Sequence, residues 1–244
     1  MTKANHIDPR ERIIVALDVS ARPDLEKWAA LLKSHVRWVK VGMELFYAQG
    51  PEVITFLREQ GFNIFLDLKL HDIPNTVQKA AVVLARLGVG LINLHTLGGV
   101  EMMKRTAAAI KEMATTEGIN PPRVIGVTVL TSHSPKVLRD ELQITLPLGE
   151  AALHLAGMAK SSGLDGVVCS PWEVEQIKKC YGADFLTVVP GIRPSWAAPG
   201  DQVRYKTPGQ AVAEGADFLV IGRPILDAPD PVAALNSIVQ EMQD

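Results

Sequence analysis

Short apolar runs alternate with helical stretches eight times along this chain. No other feature of the sequence restricts its fold as much. Residues 12–17, 36–41, 65–70, 89–94, 123–130, 165–169, 185–189 and 217–221 are brief and mostly Val, Ile and Leu, as strands buried on both faces are. Helical segments follow them over 23–34, from Gly42 to about 60, and over 74–87, 100–115, 149–161, 171–180, 208–214 and from 224 to the end. Such alternation implies a parallel sheet. Eight units with no linker, repeat or shift in composition predict one domain over 1–244, an α/β chain closed as a (β/α)8 barrel rather than left as an open sheet.

In such barrels reactive side chains gather where the strands end. Here those positions hold Asp18, Lys40, Asp67 with Lys69, His95, Thr131, Arg193 and Arg223. A solvated rim accounts for any one of them; a rim of this composition at one end is harder to explain that way. The third strand is the most charged. In Phe65-Leu66-Asp67-Leu68-Lys69-Leu70-His71-Asp72-Ile73-Pro74-Asn75-Thr76, alternation puts Phe65, Asp67 and Lys69 on one face and the leucines on the other. Asp67 and Lys69 are then roughly 7 Å apart at the backbone, with Lys40 on the neighbouring strand. Carboxylates near Lys69 favour its ammonium form and burial opposes it. An ammonium that persists is a proton donor, suited to protonating a carbanion; a Schiff-base amine needs the opposite shift. A buried structural ion-pair network is the alternative.

The ends of strands seven and eight supply Gly191 with Arg193 and Gly222 with Arg223. Barrels often bind phosphate there, through close backbone approach and the planar guanidinium fork; a glycine turn beside an exposed arginine is the alternative. The connection 194–206 is long enough to be a lid.

Other classes find less support. Lys and Arg number 25 against 27 Asp and Glu, so no basic field is available for nucleic acid. No run is long enough to span a bilayer, and the first residues lack a secretory apolar core. Cys169 and Cys180 are not a CxxC pair, and Cys169 reads as core. With these features the expected setting is a reduced cytoplasm. The six histidines show no metal-ligand spacing. His95 reads as a packed residue near the mouth, His71 receives no role, and Met102 and Met103 read as core or interface.

DLKLHDIPNT resembles the D-x-K-x-x-D-I-x-x-T signature of the orotidine 5′-phosphate decarboxylase family. VALD at Asp18, KVG at Lys40, VTVLTS at Thr131, PGIRP at Arg193, GDQ at Gln202 and VIGRP at Arg223 are similar to the bacterial form, in order. The likeness spans nearly the whole chain; only 134–146 matches poorly. The resemblance implies conversion of orotidine 5′-phosphate to UMP and CO2, without metal or organic cofactor. It implies that Lys69 is the general acid, with Asp67 beside the substrate carboxylate. Asp72 completes an Asp-Lys-Asp array with Lys40. By the same analogy the chain is a homodimer in which Asp72, Ile73 and Thr76 reach the partner's site. Asp18 and Lys40 hold the ribose and Thr131 the pyrimidine edge. Gln202 bridges base and phosphate, and Gly222, Arg223 and Arg193 hold phosphate.

Hexulose-phosphate synthase and keto-gulonate-phosphate decarboxylase share a D-x-K-x-x-D strand, but resemble metal enzymes with a carboxylate where Lys40 stands. Lys40 would repel a divalent cation. A catalytically dead nucleotide-binding barrel would be expected to have lost Lys69 or Asp67, and both are present.

Overall fold

The computed structural model describes residues 8–197 and 204–243. Eight parallel strands close in chain order: β1 (Ile13–Ala16), β2 (Trp38–Gly42), β3 (Asn63–Leu70), β4 (Leu91–His95), β5 (Arg123–Val127), β6 (Gly166–Val168), β7 (Leu186–Val189) and β8 (Phe218–Ile221), which pairs back onto β1. The expected (β/α)8 barrel is the fold. Helices α1 (Arg22–Leu32), α2 (Met43–Gln49), α3 (Glu52–Glu59), α4 (Pro74–Ala85), α5 (Val100–Glu117), α6 (Leu148–Ser161), α7 (Val174–Tyr181), α8 (Pro208–Ala213), α9 (Arg223–Leu226) and α10 (Pro231–Glu241) lie between and after the strands. Among the described residues no helix is long and apolar enough to cross a membrane.

The period-two pattern of the strands separates two apolar layers. Val15, Val39, Val41, Leu66 and Leu94 point outward into the main core, which the helices cover. Ile14, Phe65, Leu91, Ile125 and Val188 point inward and fill the barrel, with Trp38, Val168, Phe218 and Val220 beside them. Strands β6 and β7 pack closely where a Cβ at Gly166 would stand 2.3 Å from the Leu186 carbonyl oxygen. Only glycine allows that approach. Met102 and Met103 on α5 are fully buried in the outer core.

Three elements differ from the sequence reading. The one helix expected from 224 onward is two, α9 and α10, and Asp230 caps the second by accepting the N–H groups of Val232 and Ala233. The single helix expected up to residue 60 is two, α2 and α3. Gly50 breaks it with φ +69, and Pro51 caps the next helix. The fifth strand ends at Val127 rather than at 130. Its apolar run continues, but Val129 leaves the barrel to pack with Leu138, Ala151, Ala152 and Leu155. Leu138 belongs to a π-helical turn, Val137–Glu141, inside the poorly matched segment 134–146. That segment therefore covers the loop after β5, and Thr131 sits in a turn four residues past the strand.

Candidate active site

The inward column of each strand changes character toward its C-terminal end. Above Phe65 on β3 comes Asp67, which pairs with Gly42 on β2; Lys40, also inward, is level with Phe65. Asp67 is 9 % exposed. Lys69 Nζ donates to Asp67 Oδ1 at 2.7 Å, and Lys40 Nζ lies 3.5 Å from Asp67 Oδ2. Lys40 Nζ also donates to Asp18 Oδ1 at 3.0 Å. The result is a line of alternating charge, Asp18–Lys40–Asp67–Lys69, drawn from the ends of three adjacent strands. A Cβ at Gly42 would stand 2.8 Å from Lys40 Nζ, so the glycine leaves room for the ammonium to sit between its two carboxylates.

Burial alone would push the Asp67 carboxyl up. Lys40 and Lys69, with hydrogen bonds from Lys69 and Asn93, outweigh burial and hold it below the usual carboxylate range. Asp67 is thus an anion at neutral pH. Toward the next strand lies His95. Burial, then the neighbouring His71 and Lys69, bring it down to about 4, with Asp67 opposing and His133 adding to the fall. The rings of His71 and His95 are 5.5 Å apart. His95 is neutral at pH 7 and adds no charge to the array.

Lys69 carries backbone strain. Its φ is +51, in the left-handed region that costs a non-glycine residue about 1–2 kcal/mol. Asn93 on β4 accepts the Lys69 N–H at 2.8 Å and donates to Asp67 Oδ1 at 2.6 Å. A neutral hydrogen bond contributes about 1 kcal/mol, and one to a charged group about 1.5–3 kcal/mol, which offsets the strain. Sequence reading missed Asn93. The signal was present: in Leu91-Ile92-Asn93-Leu94-His95, an amide occupies the inward parity of an apolar strand.

Behind the charges opens a cavity of about 180 Å³. Lys40, Asp67 and Lys69 form one wall; Val127, Val129, Val168, Cys169, Pro190 and Val220 form the others, with Thr131 at the edge. A planar, largely apolar ring with a polar edge suits such walls. Cys169 is core, as expected; burial holds its thiol up. A larger cleft of about 370 Å³ lies at the opposite end of the barrel, among Arg12, Trp38, Arg123 and Phe218, away from the charged line.

The remaining expected residues are more scattered. Asp72, Ile73 and Thr76 are exposed in the turn after β3 and the first turn of α4. Asp72 Oδ1 accepts the N–H of Ile73 at 2.6 Å, and Asp72 makes no ion pair with the Lys69 of its own chain. Gly222 caps α9 and Arg223 opens it. Arg193 is buried, and its N–H donates to the Lys206 carbonyl at 3.0 Å, beside an Ile192–Lys206 bridge. The connection after β7 therefore begins and returns at one neck. Gln202 lies outside the described residues. Among the described residues no three His, Cys, Asp or Glu side chains are placed to hold a metal ion.

A family model described as "Orotidine 5'-phosphate decarboxylase / HUMPS family" matches residues 11–238. The chain belongs to that family. It is 48 % identical over 236 residues to the orotidine 5′-phosphate decarboxylase of Syntrophotalea carbinolica, covering 97 % of this chain and 96 % of the relative. It is 50 % identical over 236 residues to that of Geotalea daltonii, covering 96 % and 97 %. The crystal structure of orotidine 5′-phosphate decarboxylase from Lactobacillus acidophilus superposes with a TM-score of 0.84 at 45 % identity, covering 96 % of this chain and all of that one. An uncharacterized conserved protein from Geobacillus kaustophilus superposes with a TM-score of 0.82 at 43 % identity, over 94 % of this chain and 99 % of that one. At this likeness the chain is an enzyme of the carboxy-lyase class.

Proposed function

We propose that the chain decarboxylates orotidine 5′-phosphate to UMP and CO2 in pyrimidine biosynthesis, using Lys69 as general acid and no cofactor. The observation that carries this reading is the Lys69–Asp67–Lys40 cluster on one wall of an apolar cavity of about 180 Å³.

The chemistry asks for such a site. When the C6–carboxylate bond breaks, its electron pair stays on C6 in the plane of the ring and cannot delocalise into the ring carbonyls. Stabilisation must be electrostatic, by charge fixed where the anion develops. The Lys69 ammonium supplies it, donates a proton to C6 and recovers one from solvent. Asp67 holds that ammonium in place and lies beside the departing carboxylate. Asp18 and Lys40 take the ribose hydroxyls, and Thr131 the pyrimidine edge. Gly222, Arg223 and Arg193 take the phosphate, with Gln202 reaching from the 194–206 connection. Phosphate is remote from C6, so its binding energy can drive closure and lower the barrier. A phosphorylated nucleotide does not cross membranes unaided, which fits a cytoplasmic enzyme.

The working unit in this reading is a homodimer in which Asp72, Ile73 and Thr76 serve the partner's site. Ile73 is 67 % exposed. The elements after β2 and β4 carry further exposed apolar side chains, Met43, Tyr47, Leu97 and Val100. These favour a covered face over a solvated one. The charge near balance gives nucleic acid no basic surface, and no membrane role is proposed.

The test is an ultraviolet assay of orotidine 5′-phosphate turnover on purified protein, with Lys69→Ala beside it. Turnover with chelator present, and near-complete loss in the variant, is the expected result. Wild-type protein that binds UMP but turns nothing over would sink the enzyme reading. Activity lost with chelator would favour a metal-dependent branch of the family instead.

A further inference from the structure

Strands β3 and β4 do not pair residue for residue at the mouth. Leu66 faces Ile92 and Leu70 faces Leu94, so Asp67, Leu68 and Lys69 stand opposite the single Asn93. Such a bulge removes ladder hydrogen bonds and re-aims side chains. Asn93 is 1 % exposed and uses its amide in both senses. Nδ2–H donates to Asp67 Oδ1 at 2.6 Å, and Oδ1 accepts the Lys69 N–H at 2.8 Å. The side chain thus satisfies a backbone group that the bulge would leave orphaned, at the residue whose φ is +51.

We infer that Asn93 is a positioning residue for proton transfer. It holds the Lys69 backbone in the left-handed turn that carries the ammonium to Asp67 and the cavity, and it fixes the Asp67 carboxylate against rotation. Asn93 does not itself line the cavity. The inference rests on the decarboxylase reading for its consequence, and on geometry alone for its mechanism. The requirement is for one donor and one acceptor on a short, buried side chain. Alanine supplies neither. Aspartate supplies the acceptor, but sets a second carboxylate against Asp67 until the pair takes up a proton. The shared proton then restores a donor.

Asn93→Ala and Asn93→Asp separate positioning from general structural support. In Asn93→Ala, kcat is expected to fall about 100-fold, while UMP affinity changes by less than about 3-fold. In Asn93→Asp, kcat is expected to be equally low at alkaline pH and to climb as pH falls and the carboxylate pair is protonated; the wild type has no such limb. Wild-type kcat in both variants overturns the inference. So does a deficit in Asn93→Asp that is independent of pH, or a loss of UMP affinity equal to the loss of kcat. A crystal structure of Asn93→Ala tests the geometry without activity: Lys69 is expected to leave positive φ. Unchanged φ with the Lys69–Asp67 contact intact would refute the inference. If wild type fails to decarboxylate, the functional reading falls, and that structure alone decides the positioning role.

Discussion

Arg204 and Glu173 form an ion pair shut off from solvent, their side chains 3 % and 5 % exposed. The pair joins three loops. Arg204 NH2 donates to the Leu130 carbonyl after β5 at 3.0 Å, and Glu173 Oε2 accepts the Ser170 N–H after β6 at 2.6 Å. Arg204 itself lies on the chain returning from the connection after β7. The foot of the proposed lid is therefore tied to the loop that carries Thr131.

Replacing Arg204 by Met strands the Glu173 carboxylate in a buried place. Breaking such a pair costs about 3 kcal/mol or more. Burial already pushes the Glu173 carboxyl up against the pull of Arg204, and removing Arg204 raises it further. A carboxyl raised in the folded state favours folding at low pH, and that contribution is lost as pH rises through its folded value. The deficit of Arg204→Met is thus expected to grow as pH rises from the ordinary carboxyl range through neutral. Thermal denaturation across that range measures it. A deficit that shrinks with rising pH would contradict the burial argument.

Asp67 titrates with the opposite sign. Its folded pKa is depressed, so its contribution to stability is full above its ordinary value near 4 and is lost as pH falls through the folded value. Asp67→Asn removes that dependence. Acid unfolding of the variant is expected to show a shallower slope below about pH 4, along with turnover at least about 1,000-fold lower. Equal slopes in both proteins would show that Lys40 and Lys69 do not hold the carboxylate as described.

His95 supplies a spectroscopic check on the mouth. With its pKa brought to about 4, its imidazole resonance in NMR is expected to stay in the neutral position down to that pH. The unfolded chain takes up this proton near 6.5, so stability rises with pH between about 4 and 6.5. The contribution, discounted for partial solvent contact, is about 1 kcal/mol. A midpoint near 6.5 in the folded protein would mean an open, wet mouth.

Mixed subunits test the shared site. An Asp67→Ala chain retains Asp72, and an Asp72→Ala chain retains Asp67. In a mixed dimer one of the two sites is whole, and half of the dimers in an equal mixture are mixed. About one quarter of wild-type activity is expected from two nearly inactive parents. No recovery after demonstrated subunit exchange would place Asp72 outside the partner's site.

The eight strands were legible because each is a compact apolar run, and the inward parity of Asp67 and Lys69 was legible because Phe65 begins it. The pairing of those charges was reached by an incomplete route. Regular alternation puts Lys69 on the face of Asp67, but the strand is not regular there; a bulge, a left-handed backbone and Asn93 bring the two together. Periodicity carries no record of two extra residues in one strand of a pair. Local propensity likewise read Val129 and Leu130 as strand, because the turn at Val137–Glu141 and α6 that draw Val129 away are distant in sequence. The Arg204–Glu173 pair, 31 residues apart, had no local signal at all.

Under the shared-site reading, the exposed Asp72–Ile73 turn makes specific activity a function of protein concentration. A solitary chain holds Lys69 beside Asp67 but lacks the second carboxylate, so dilution below the dimer dissociation constant would switch catalysis off without unfolding anything. Rate per chain would then fall as dimers part, and the abundance of the enzyme would set its efficiency as well as its amount.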